Sequence, residues 1–316
     1  MTTATLNNEV STGIDFANEL RESVIAIELR KQAIGKTKVL TGNQKNEIAT
    51  HFASDHHAIS SSKRLFDPSQ RNIKQINSIL NDARSCWVNM TIAYSKGIRL
   101  IRKDQLQNFV RQFDFLEKEL QTALAAADDN YAAILDSSRR YIGDQLFNER
   151  DYPKSFKGSV SIAWSIHNFE PSEELLKLAP ATYRREQQRI AKQFENALIN
   201  YEIEAKEQLA NLCDSLLNSL TVPTDGKRQV FKEATANNLR EFFNRFRTMG
   251  ITSDKELNQL VAQAESALGN QTMGAIKRDS FKQQNLREKF SSIKQQLENQ
   301  LIDAPLRSID LDNLDD

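Results

Sequence analysis

Cysteine, proline and glycine are all scarce in this chain of 316 residues, at two, six and ten respectively. With so few cysteines a disulfide framework is excluded. Cys86 and Cys213 both fall on apolar helical stripes and are expected as buried, reduced thiols, not as a bridge. Scarce glycine and proline, beside abundant Ala, Leu, Gln, Glu and Lys, describe long solvated helices. Net charge is also missing: 42 basic residues balance 42 acidic ones, so the global charge selects neither a nucleic acid nor a membrane as partner. No run approaches the ~20 apolar residues of a membrane span. The opening MTTATLNNEV lacks the basic-then-apolar pattern of a secretory leader. The expected compartment is the cytoplasm.

What is present is helical periodicity. Leu106, Phe109, Val110, Phe113, Leu116, Leu120, Leu124, Tyr131, Leu135, Ile142 and Leu146 recur at three- and four-residue steps. That spacing predicts one helix over 104–147, about 60 Å long at 1.5 Å per residue. Asp104, with Gln107 three positions on, reads as its N-cap and capping box. A rod this long needs a partner of similar length to cover its stripe. The second run, 181–220, carries Ile190, Phe194, Leu198, Tyr201, Leu209, Leu212, Leu216 and Leu220 and is the expected antiparallel partner.

Shorter elements surround the rods. Ile25, Ile27 and Leu29 alternate with Ala26, Glu28 and Arg30, which predicts a half-buried strand. Residues 36–40 are expected to return as its hairpin partner, and 97–102 to add a third strand in one small antiparallel sheet. Ile73, Ile76, Leu80, Ala83, Trp87 and Met90 predict a helix over 69–90. Residues 155–168 form a short element, 172–178 a short helix closed by Pro180. The Thr-Val-Pro-Thr-Asp-Gly stretch at 221–226 is the clearest interior linker. Helices follow at 229–249, with Gly250 as C-cap, at 254–268, with Ser253 and Glu256 as a capping box, and at 273–301. The fold class is therefore mainly α: a long antiparallel helical pair, a small antiparallel β-sheet and a C-terminal helical region. The division expected is a flexible 1–14, a sheet-plus-hairpin domain at 15–222, a helical region at 223–301 and a disordered acidic tail at 302–316.

Few motifs suggest chemistry. Gly35-Lys36-Thr37 resembles the end of a phosphate-binding loop, but Arg30 stands where that loop needs a glycine. His51, Asp55, His56 and His57 cluster in sequence without the further ligands of a structural zinc site and read as surface residues. The pairs Asp128-Asp129 and Glu173-Glu174 read as solvated helix faces. No nucleophile–base grouping emerges from the spacing. Neither catalysis nor a metal or other cofactor is expected.

Local charge is uneven. Lys63, Arg64, Arg71, Lys74, Arg84, Lys96, Arg99, Arg102 and Lys103 face only Asp67 and Asp82 across 61–103, with Phe66, Trp87 and Tyr94 interleaved. Cations beside exposed aromatics can hold single-stranded DNA through phosphates and base stacking, which makes nucleic-acid binding the alternative function. The last fourteen residues hold five Asp and one Arg, with Leu306, Ile309, Leu311 and Leu314 spaced among them. Such a tail can dock on a protein partner. Self-association as a structural protein is a further alternative.

The blocks VIAIELRKQAIGKTKVL, SKRLFDP, SKGIRLIRKD and FNERDYPKSFKGSVSIAW, in this order, resemble a family of helical proteins of phages, plasmids and integrative elements. A Ser-Lys-basic-Leu block, a Gly-x-Arg-Leu block and a Tyr-Pro block recur there, and the resemblance covers about 23–220. Asn89-Met90-Thr91 departs from the Pro-Trp more usual before the Gly block. Family members are often encoded near a MoxR-type AAA+ ATPase and a von Willebrand A-type partner. The resemblance implies a non-enzymatic accessory or adaptor role beside that ATPase and supplies no catalytic residues.

Overall fold

The computed structural model describes residues 22–58, 60–220 and 233–302. It is mainly α-helical, with a small antiparallel sheet, a second two-stranded sheet and a helical C-terminal region. The chain divides into two compact units, one of 1–27, 89–106 and 166–316, the other of 28–88 and 107–165. They are called unit 1 and unit 2 below.

Strands β1 (Val24–Gln32), β4 (Ile92–Ser95), β5 (Ile98–Arg102) and β6 (Ser161–His167) form one sheet in the order β4-β5-β1-β6. β4 and β5 are an antiparallel hairpin, Ile92 opposite Leu100 and Ser95 opposite Ile98. Its tight turn is Lys96-Gly97, where Gly97 takes a positive φ of 72° that glycine adopts without a Cβ clash. The segment after β1 does not return to it. Strand β2 (Thr37–Val39) pairs with β3 (Ser62–Arg64) in a separate ribbon, Lys38 opposite Lys63. Between them lies α1 (Gly42–His51), closed at its start by a Thr41–Gln44 capping box. The third expected strand is β5, and the short element at 155–168 contains β6.

In unit 2, α2 (Arg71–Asn89) turns Ile73, Ile76, Ile79, Leu80 and Ala83 inward. The run expected as one rod is two helices, α3 (Leu106–Asp129) and α4 (Tyr131–Ile142). Asn130 interrupts them with φ −99° and ψ 15°, its side-chain amide turned back on the Ala126 carbonyl at 2.8 Å. Gly143, at φ 82°, ends the second. The start differs too. A single 3₁₀ turn over Lys103–Gln105 precedes α3, and the Asp104 carboxylate accepts from Arg102 Nε at 2.9 Å in place of capping.

In unit 1, α5 (Glu173–Leu178) is capped by Ser172, whose hydroxyl accepts from the Leu175 amide. Pro180 does not so much close α5 as open α6 (Pro180–Leu220), at the first helical position where a missing N–H costs nothing. Then come α7 (Glu233–Met249), α8 (Lys255–Leu268), α9 (Met273–Lys277) and α10 (Ser280–Ile302). The last expected helix is thus two, because Asp279 accepts from the Phe281 and Lys282 amides, each at 3.1 Å, and starts α10 afresh.

The long partner of α6 is α10, while 107–147 of the run expected in that place belongs to unit 2. Leu209, Cys213 and Leu216 of α6 share a core with Phe243, Leu257, Phe290 and Leu297, all buried. Helices on both sides of residues 221–232, which lie outside the described part, therefore share one interior. A second cluster seats Ile190, Phe194 and Leu198 against Ala26, Ile92 and Leu100. Two apolar stripes of equal quality cannot tell each other's partners by periodicity alone.

Gly250 caps α7 as expected, with φ 51° and its amide on the Phe246 carbonyl at 3.0 Å. Gly250→Ala adds a side chain in the left-handed region and toward Arg102. It should cost about 1–2 kcal/mol in urea unfolding. An unchanged midpoint would show that this turn relaxes freely.

Candidate functional site

The structure removes three of the nine expected cations from any phosphate-binding surface. Lys63 alternates with Arg64 so as to share a face with Leu65, and both are buried. Its ammonium lies 2.7 Å from Asp151 Oδ2 and donates to the Leu146 carbonyl at 2.5 Å. Arg99 is half-buried and donates to the Thr91 hydroxyl at 2.7 Å and its carbonyl at 2.8 Å. Arg102 pairs with Asp104. Arg64, Arg71, Lys74 and Arg84 are exposed on unit 2, Lys96 and Lys103 on unit 1. The interleaved aromatics are not stacking platforms. Phe66 is buried beside Tyr152 at 5.3 Å, and Tyr94 packs between Phe169 and Phe194 at 4.5 and 4.9 Å. Trp87 is half-buried.

Converging ionisable groups do exist, and they hold loops. Asp151, with its side chain 5% exposed, takes Lys63 on one oxygen and Lys38 on the other. Burial would raise its carboxyl, but the hydrogen bonds from Lys38 and Lys63 outweigh that and hold it below the usual carboxylate range. The next residue, Tyr152, donates its hydroxyl to the Leu65 carbonyl at 2.6 Å. Together they fasten the β2–β3 ribbon to the Tyr-Pro loop of unit 2. Asp128, expected on a solvated face, accepts from Ser155 Oγ at 2.7 Å and the Phe156 amide at 2.6 Å. Burial raises its carboxyl less than these donors lower it.

Unit 1 has a counterpart. Glu202 of α6 accepts from Thr252 Oγ1 at 2.8 Å and from the Ser253 and Asp254 amides at 2.8 and 3.1 Å. With Ser253 so engaged, the cap of α8 falls one residue later than expected, on Asp254, which accepts from the Leu257 amide at 2.8 Å. Asp254 also meets Lys206 at 2.6 Å. Burial pushes the Cys86 and Cys213 thiols up to about 11 and about 12, so both stay protonated at neutral pH.

Two surfaces bear on the function among the described residues. In unit 2 a groove of about 470 Å³ between α2 and α3 is lined by Asp82, Cys86, Arg111, Gln112, Phe115 and Leu116, with Phe115 60% exposed. In unit 1 the first turns of α6 expose Arg184, Arg185, Arg189 and Lys192, and α5 exposes Leu176 and Leu178 around Lys177. This second surface did not stand out in sequence. Its cations sit among Glu173, Glu174 and Glu186, and only the helix geometry separates the signs. Lys36 of the Gly-Lys-Thr stretch uses its carbonyl to receive the Leu65 amide beside the β2–β3 ribbon. His51 ends α1, and the His57 amide donates to Asp55 at 2.8 Å. Leu306, Ile309, Leu311 and Leu314 lie outside the described residues. Among those described, no helix is long and apolar enough to cross a membrane, and no three His, Cys, Asp or Glu gather as around a metal ion.

Family models, curated proteins and solved structures were compared with the chain, and none matches.

Proposed function

We propose that the chain is a non-enzymatic adaptor of a phage or other mobile element, working in the cytoplasm beside a MoxR-type AAA+ ATPase. The observation that carries the reading is how the converging charges are used. Asp151 with its two lysines, Asp128 with the 155–157 loop, and Glu202 with Asp254 and Lys206 all have their hydrogen-bonding capacity turned onto the fold. Phe115, Tyr141, Leu176, Leu178 and Phe281 instead expose apolar side chains on helix surfaces, as a docking platform requires. The family resemblance of 23–220 supports the choice of partner. The acidic tail with Leu306, Ile309, Leu311 and Leu314 supplies a segment able to dock on it.

The test is affinity capture of a MoxR-type AAA+ ATPase by the intact chain and by a chain ending at Ile302. Capture should fall at least about tenfold without the tail, the loss expected for removing a principal contact of ~1.4 kcal/mol or more. Equal capture by both chains would refute the tail's role. The DNA-binding alternative predicts capture of single-stranded DNA that fades steeply between 50 and 200 mM salt, roughly as the number of phosphates contacted.

A further inference from the structure

Helix α10 reaches the end of the described structure at Ile302, which is 80% exposed. Its direction follows from two contacts. Lys294 meets Asp214 of α6 at 2.6 Å. Gln300 donates to Glu256 at 2.9 Å, two residues from Asp254, which meets Lys206 of α6 at 2.6 Å. Six residues forward along α10 thus match about eight backward along α6. The two helices run antiparallel, and α10 ends pointing along the N-terminal half of α6.

That half has one covered side and one open one. Ile190, Phe194 and Leu198 face the core. Arg185, Arg189 and Lys192, at steps of four and three, share the opposite face, and exposed Arg184 lies at its edge, about 100° round the helix from Arg185. Arg189 is partly engaged by Glu186 at 2.5 Å. Just before α6, Leu178 is 85% and Leu176 45% exposed, either side of Lys177. Cations with exposed leucines at one end are the complement of residues 303–316, where five Asp and one Arg surround Leu306, Ile309, Leu311 and Leu314. The reach is sufficient. From the level of Lys206 to Arg185 is about 32 Å of helix, and fourteen residues can extend over roughly 46–50 Å.

We propose that residues 303–316 dock in cis on the Arg184–Arg185–Lys192 surface of α6, with Leu314, the apolar residue of the tail able to extend that far, settling toward Leu178. Exposed ion pairs are individually weak and screened by salt. A short tether, however, sets an effective concentration of order millimolar, enough to keep weak contacts occupied. A partner that binds the tail must then displace it, so this face acts as a built-in competitor. The inference shares the tail with the adaptor reading, but its test requires no partner, so either can fail alone.

The experiment uses the full chain with Cys86→Ser, Gln188→Cys and Asn313→Cys, treated with a short bismaleimide and mapped by mass spectrometry. The reference places the helix cysteine at Asn211, which is exposed and nearer in level to the tail's exit, so an undocked tail would reach it at least as readily. Docking predicts a 188–313 link within one chain, forming at least about fivefold faster than the 211–313 link. Arg184→Glu with Arg185→Glu should cut that rate at least about fivefold, and adding Asp310→Lys with Asp312→Lys should restore it. Equal rates at the two positions, indifference to charge reversal, or a link found only between two chains would each overturn the proposal.

Discussion

Asp151→Ala is expected to destabilise unit 2 by about 3–5 kcal/mol, because it strands the Lys63 ammonium, 5% exposed, without its counter-charge. Lys38, 51% exposed, can turn to water and adds little to the loss. Both tryptophans of the chain, Trp87 and Trp164, belong to unit 2, so fluorescence-monitored urea unfolding reads this unit directly. Asp151→Leu combined with Lys63→Met should recover most of the loss, since a buried pair replaced by apolar groups is often nearly neutral. A shift under about 1 kcal/mol for Asp151→Ala would mean that Lys63 reaches solvent. The pH dependence has a definite sign. With the folded carboxyl held below its unfolded value of about 3.9, the contribution is complete above that pH and is lost as pH falls through the folded value. Asp151→Asn should therefore show a flatter acid limb below about pH 4 than the unaltered chain.

Phe290→Ala should cost about 3–5 kcal/mol in unit 1. Phe290 is fully buried, in the interior shared by α6, α7, α8 and α10. Removing the ring leaves a cavity that backbone from four helices must collapse to fill. Circular dichroism at a helical wavelength measures the midpoint. The exposed Phe281, nine residues earlier at 78% exposure, serves as the control, with Phe281→Ala expected within about 0.5 kcal/mol of zero. Equal effects at the two positions would contradict the packing of α10 on α6.

Local patterns were legible in sequence, and long-range choices were not. The three- and four-residue steps from Ile73 to Met90 and from Ile190 to Leu220 located α2 and α6, and the alternation around Ile25–Leu29 located β1. Gly250 announced its own turn. The break at Asn130 was hidden because the apolar stripe continues through it, from Leu124 to Tyr131 and Leu135. What ends α3 there sits near a loop more than twenty residues ahead, with Asp128 bound to Ser155 and Phe156. The cap of α8 shifted for a similar reason, since Glu202, some fifty residues earlier, had already engaged Ser253. Lys63 was the instructive case among the site residues. As one of nine cations in a stretch that reads as a connection it looks like a free charge, and only the folding of 62–64 into β3 turns its two-residue step to Leu65 into an inward face. The exposed cations of α6 needed three dimensions, because glutamates interleave with them along the chain.

The adaptor reading is tested most directly by titrating a purified MoxR-type AAA+ ATPase into the purified chain and measuring the dissociation constant by calorimetry. Replacing Leu306, Ile309, Leu311 and Leu314 together by Ser should weaken binding at least about a hundredfold, as expected when several apolar anchors leave one interface. Arg184→Glu with Arg185→Glu should instead tighten it by freeing the tail. An intact chain that shows no heat of binding, or one whose affinity is indifferent to the four leucine and isoleucine positions, would contradict the account.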